Sequence, residues 1–216
     1  MPRQNRVTPF SGLIATEARG TLFGNRGCLH DAEGRLTGRR WTQWSWVTCL
    51  LEFKGRRRRL MQPNRYTELF FLDEATAFEA GHRPCGECRR ADYRAFKALW
   101  LEVNGTELPG GGTSIRELDR ALHRERVAAL EAREAYRERL GRLPDGAFAV
   151  LADDPHAWLV WGRRLLRWSP AGYDASRPRQ DGLTVRVLTP RSIVRTFAAD
   201  RRFTFPAVHP SARKWA

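Results

Sequence analysis

Residues 66–89 read YTELFFLDEATAFEAGHRPCGECR, and successive changes of pattern within them decide the fold class. Tyr66 to Leu72 is rich in β-formers and long enough for one strand. Asp73 stands where an N-cap belongs, Glu74 to Ala80 forms a short helix, and Gly81 supplies the left-handed residue that closes it. Pro84 then opens a Cys-x-x-Cys turn at Cys85 and Cys88. A second helix follows to about Val103, with Tyr93, Phe96, Leu99, Trp100 and Val103 on one face and Gly105 at its end. Strand, helix, thiol turn and helix in succession predict a mixed α+β chain.

Upstream, Trp44 to Phe53 alternates with apolar groups on both faces, as a strand covered on both sides does. The run Lys54-Gly55-Arg56-Arg57-Arg58-Arg59 should turn the chain, making Tyr66 to Leu72 its hairpin partner. Downstream, residues 105–113 are glycine-rich and lack periodicity, so they predict a flexible connection between regions 1–104 and 114–216. Ser114 and Glu117 form a capping box for a long helix from Ile115 to about Leu140. Strand-like segments follow at Ala147 to Leu151, Ala157 to Trp161, Leu165 to Trp168 and Leu183 to Leu188. A helix beginning at Thr189-Pro190 runs through about Ala199. The second region is expected to be α+β, with a small antiparallel β-sheet or partial barrel behind the long helix.

The 216 residues carry 38 bases against 24 acids, a net charge of +14. Up to Asn104 there are 18 bases and 11 acids, and beyond it 20 and 13, so the excess is not a detachable tail. Only Lys54, Lys97 and Lys214 are lysines. A GC-rich genome accounts for that preference but not for the net excess. Arginine offers a planar fork for phosphate and a face for aromatic stacking, which favours a nucleic-acid partner. No apolar run approaches a membrane span, and the first twenty residues lack the apolar core of a secretory signal. The expectation is a cytoplasmic protein without a membrane partner.

Cys85 and Cys88 carry the sharpest chemistry. In a reducing compartment this spacing points to a metal or redox site rather than a structural disulfide. A helix and a glycine precede the pair here, where a redox motif would follow a strand. Metal is therefore favoured, and the helix behind the turn together with Arg83, Arg89 and Arg90 should lower the thiol pKa values. Zinc takes four Cys or His ligands in a structural site. Cys49 ranks first for the third place, because its strand leads back to the turn. Cys28 or His30 could complete the shell; Cys28 is preferred because it uses every cysteine, and His82 is the poorer candidate.

Residues 70–89, from Phe70-Phe71-Leu72 through the helix to Gly81-His82-Arg83-Pro84-Cys85-Gly86-Glu87-Cys88-Arg89, resemble the zinc-binding domain of Ada-type DNA-repair proteins. The resemblance covers about a tenth of the chain. It implies a zinc-stabilised strand-hairpin and helix module in 1–104, with Cys85 and Cys88 as ligands and DNA as partner. His82 occupies the family's usual aromatic position, which implies that it is no ligand. The family's closely spaced upstream cysteines have no counterpart, since Cys28 and Cys49 lie far apart, and Arg90 replaces a frequent proline. The expected function is thus nucleic-acid binding, DNA-directed, in repair or processing, with Arg56, Arg57, Arg58, Arg59, Arg83, Arg89 and Arg90 contacting phosphate. Two alternatives are a zinc-thiolate acceptor of methyl groups from alkylated DNA and a basic adaptor for acidic proteins.

Other candidates are weaker. Asp119 and His123 share a helix face, which more often means a solvated pair than a catalytic one. His209-Pro210-Ser211 and Asp153-Asp154 read as turns. Trp41, Trp44 and Trp46 could stack on bases or pack in the core. No phosphate loop or dinucleotide fingerprint is present, so catalysis is left open.

Overall fold

A computed structural model describes the chain except for residues 57–58, 109–111, 132–135, 202–204 and 216. Six strands, β1 (Gln4–Val7), β2 (Leu13–Ala15), β3 (Leu22–Asn25), β4 (Val47–Leu50), β5 (Leu69–Phe71) and β6 (Arg83–Pro84), form one sheet in the order β2-β1-β5-β3-β4-β6. The expected hairpin between the strands flanking the basic run does not form. Both β4 and β5 pair antiparallel with β3, which lies between them. Gly24 makes that seat possible: a Cβ there would stand 2.2 Å from the Val47 carbonyl oxygen and 3.0 Å from the Phe71 ring.

Asp73 caps α1 (Glu74–Glu79) as its position predicts, accepting the Thr76 amide at 2.9 Å. Behind the thiol turn runs α2 (Arg90–Asn104), with Phe96, Trp100 and Asn104 buried. The capping box is present, with Ser114 Oγ accepting the Glu117 amide at 3.2 Å, and α3 (Ile115–Glu131) follows it. That helix is shorter than expected. Arg137–Arg139 instead form strand β7, whose partner is the edge of β12 (Thr184–Val187), and Leu140 is buried in the turn beyond. The expected connection 105–113 lies partly outside the described residues; within it, 105–107 form a 3-10 turn and Leu108 is buried.

The second sheet contains β7, β8 (Phe148–Leu151), β9 (Asp154–Trp161), β10 (Arg164–Ser169), β11 (Gly172–Pro178) and β12, in the order β11-β10-β9-β8-β12-β7. All its pairings are antiparallel. α4 (Arg191–Ala199) follows, with Pro190 at its N-cap rather than inside its first turn. The chain is therefore α+β, and no described helix is long and apolar enough to cross a membrane.

The cores draw on both sides of the glycine-rich segment. Phe78, Phe96 and Trp100 pack with Leu118, Leu122, Ile193 and Phe197. Leu72 and Ala75 pack with Phe148, Leu159, Leu166 and Tyr173. Polar ties reinforce this contact: Tyr173 Oη donates to Asp73 Oδ2 at 2.7 Å, and Trp168 Nε1 to Thr76 Oγ1 at 3.1 Å.

Candidate metal centre

The thiol turn is built where β6 leaves β4. Their parallel pairing sets Val47 beside Arg83 and Thr48 beside Pro84, and the Cys85 amide continues it onto the Thr48 carbonyl at 2.9 Å. Cys49, the next residue of β4, is thereby carried to the mouth of the Cys-x-x-Cys turn. The Arg89 amide closes the turn on the Cys85 carbonyl at 3.1 Å, and α2 begins at the following residue. The sulfurs of Cys49, Cys85 and Cys88 all lie within 4.8 Å of one another. A tetrahedral zinc with Zn–S of about 2.3 Å asks for sulfurs about 3.8 Å apart, so small side-chain adjustments suffice.

Hydrogen bonds prepare one thiolate. Cys85 is brought down to about 5, first by the Cys49 thiol and then, against desolvation, by the Cys88 and Glu87 amides. The Glu87 amide lies 3.4 Å from Cys85 Sγ. Cys49 is pushed up, chiefly because it donates to Cys85, and Cys88 is raised by burial. One ionised thiol sharing the protons of its neighbours is the state that a soft cation displaces. All three donors are sulfur, a set that suits zinc and other thiophilic ions rather than magnesium or calcium.

Cys28 does not join the trio. Its thiol turns to the His30 carbonyl at 3.5 Å, while its amide is held by Thr42 Oγ1 at 2.9 Å. His30 is engaged at both ring nitrogens, Nδ1 with Thr67 Oγ1 at 2.6 Å and Nε2 with the Gln62 carbonyl at 3.1 Å. His82 is buried between Trp46 and Phe71, with ring centroids 5.3 and 4.7 Å away. Among the described residues, the metal candidates thus number three thiols, leaving a tetrahedral ion one open position.

The arginines divide into two populations. Arg83 and Arg89, expected at phosphate, are only 6% and 8% exposed and are turned inward. Arg83 grips Asp119 through both arms of its fork, at 2.6 and 2.7 Å, and lies over the Tyr93 ring. Arg89 joins Glu74, Asp92 and Thr48 Oγ1, tying α1, α2 and β4 together behind the thiol turn. Neither guanidinium is presented to a partner, because desolvated carboxylates already hold it. Arg56, Arg59 and Arg90 are exposed, and Arg56 pairs with Glu87 inside the turn at 2.5 Å. Lys54 and Arg56 flank the Phe53 ring at 5.2 and 5.5 Å. Arg57 and Arg58 lie outside the described residues.

Asp119 therefore serves Arg83 and not His123, which packs edge-on against Trp41 and Trp46. Of the three tryptophans, Trp46 is fully buried while Trp44 is 56% exposed with Arg120 over its ring. His209 and Ser211 form a local turn, Nδ1 to Oγ 2.9 Å, that also receives the Tyr173 amide. Asp153 meets Arg177 across the sheet, and Asp154 meets His156 within its strand.

No family model, curated protein or solved structure matches this chain.

Proposed function

We propose that this chain is a nucleic-acid-binding protein, directed at DNA in repair or processing within the cytoplasm, and organised around a bound zinc ion. Cys49, Cys85 and Cys88 hold the metal, in a module of Ada type. The observation that carries the reading is the convergence of three thiols from two segments of the chain, with exposed Arg56 paired to Glu87 inside the turn and Lys54, Arg59 and Arg90 exposed on the same two segments. Zinc would clamp β4 to the turn ahead of α2 and so fix the edge from which the basic loop projects. Point charges on a rigid edge suit a phosphate backbone, and that binding is strongly salt-dependent.

The first test is elemental mass spectrometry on protein purified without a metal-affinity tag. About one zinc per chain is expected, lost in Cys49→Ser, Cys85→Ser and Cys88→Ser and retained in Cys28→Ser. Metal-free wild-type protein, or metal that survives loss of Cys85, would reject the zinc module. A mobility-shift titration with a hydroxyl-ended duplex then tests the partner.

The three-sulfur cluster also supports a second reading, transfer of a methyl group from an alkylated phosphate to one of its thiolates. The sulfur would attack the methyl carbon of a phosphotriester, forming C–S as C–O breaks and leaving a phosphodiester anion. Intact-mass measurement after incubation with methylated DNA decides it: one added methyl on Cys49, Cys85 or Cys88 is required.

A further inference from the structure

Away from the thiols, the densest unexplained chemistry surrounds Trp46. The guanidinium carbons of Arg26 and Arg126 each lie 4.6 Å from its ring centroid, and the two residues are only 2% and 4% exposed. Arg26 Nη1 donates to the Ser11 carbonyl at 3.2 Å. Among the described residues, Arg26 Nε and Nη2 and all three guanidinium nitrogens of Arg126 have no hydrogen-bond partner. Asp119, which attracts Arg126, is engaged by Arg83. Glu79, also buried, has its Oε2 unpartnered.

Both arginines and Glu79 line a cleft of about 500 Å³. Arg39, Arg40 and Arg186 add positive charge to its walls, and Phe10, 46% exposed, also lines it. The backbone is shaped to admit Arg126: Gly81 has φ +75°, and a Cβ there would lie 1.9 Å from Arg126 Nε. Buried cations with unsatisfied donors are costly unless an anion meets them. A guanidinium fork matches phosphate geometry, and an exposed ring offers a face on which a base can stack. The cleft also falls within the size range of small-molecule sites.

We propose that this cleft binds a nucleotide through its phosphate, supplied by a free mononucleotide or by the phosphorylated end of a strand, with Arg26 and Arg126 on the phosphate and Phe10 beside the base. Burial drives the Glu79 carboxyl well above the ordinary range, against the pull of Arg26. That shift moves it toward the neutral acid, which donates to a phosphate oxygen instead of repelling it. The site goes beyond the duplex-binding reading, because its probe is a free mononucleotide.

Calorimetric titration with AMP, with inorganic phosphate as competitor, tests the proposal. Saturable binding at one site per chain is expected, displaced by phosphate and weakened at least about tenfold in Arg126→Gln. The unliganded melting temperature of that variant should hold or rise, because an unpaired buried cation has been removed. Should Arg126→Gln fail to fold, exposed Phe10→Ala and Arg39→Ala must each weaken AMP several-fold. Oligonucleotides with 5′-phosphate or 5′-hydroxyl ends separate the sources. Clear preference for the phosphorylated strand over AMP assigns a strand end, and equal or weaker strand binding assigns a free nucleotide. Absence of saturable binding by AMP and by the phosphorylated strand alike would overturn the proposal, as would AMP binding untouched by these variants. A hydroxyl-ended duplex reports on the earlier reading alone.

Discussion

Arg83 and Asp119 show how a residue beside a motif can be misassigned from sequence. In the linear text Arg83 precedes the thiol turn and looks like a phosphate ligand, while Asp119 lies far away on another helix. Folding makes them a bidentate pair at 2.6 and 2.7 Å with almost no solvent access. Net charge says how many arginines there are, not which are desolvated, so this pairing was not readable from composition. Removing one partner leaves an uncompensated buried charge, which typically costs about 3–5 kcal/mol. Asp119→Ala should therefore lower stability by that amount in urea denaturation. A loss below about 1 kcal/mol would mean that water reaches the Arg83 guanidinium in the folded protein.

His82 makes a second prediction at this scale. It is enclosed by Trp46 and Phe71, and burial, followed by repulsion from Arg26 and Arg126, holds its pKa well below 6.5. As pH falls through 6.5 the unfolded chain takes up a proton that the folded chain refuses, so stability falls with pH. The slope approaches about 1.4 kcal/mol per unit for one such group. Glu79 acts in the opposite sense, since its raised carboxyl favours the folded state at low pH and loses that contribution as pH rises. Comparing wild type with His82→Leu between pH 7 and 5 isolates the histidine. The variant's stability should fall less on acidification; parallel curves would show that His82 is protonated in the fold.

At the scale of elements, much was legible where local chemistry dominates. The Asp73 cap, the helix after it, the capping box at Ser114 and the helix behind the thiol turn all follow from side chains within a few residues. The proximity of Cys49 to the turn was expected as well but is not local: β4 reaches the turn by parallel pairing with β6, not through a hairpin. Strand β3 escaped because LFGN is short and interrupted by glycine, and β11 because GYDASRP carries no apolar alternation. Both owe their pairing to neighbours, which periodicity does not report. The Asp73 carboxylate shows the same division. Its local bond to Thr76 was foreseeable, but the Tyr173 hydroxyl at 2.7 Å and the His209 amide at 3.0 Å come from the far end of the chain. Tyr173→Phe should thus cost about 1.5–3 kcal/mol, the range for a hydrogen bond to a charged group. The value is measurable by thermal or urea unfolding, and a neutral result would mean that water replaces the hydroxyl at Asp73.

For the whole molecule, the net charge of +14 was visible at once, yet its distribution decides function. Arg83 and Arg89 hold helices together, Arg26 and Arg126 line a cleft, and Arg56, Arg59 and Arg90 meet solvent. Only the last group can release counterions from a duplex backbone, so the salt dependence of binding should identify it. For B-DNA each neutralised phosphate contributes about 0.9 to the slope of log K against log salt. Arg56→Ala, Arg59→Ala and Arg90→Ala should each reduce that slope by about one contact while leaving the unfolding free energy within about 0.5 kcal/mol of wild type. Arg89→Ala should do the reverse. It leaves Glu74 and Asp92 without their cation and destabilises the fold, but the folded fraction should keep the wild-type slope. If the three surface variants leave the slope unchanged, the basic edge beside the thiols is not the contact surface, and the positive charge there would have to serve an acidic protein partner instead.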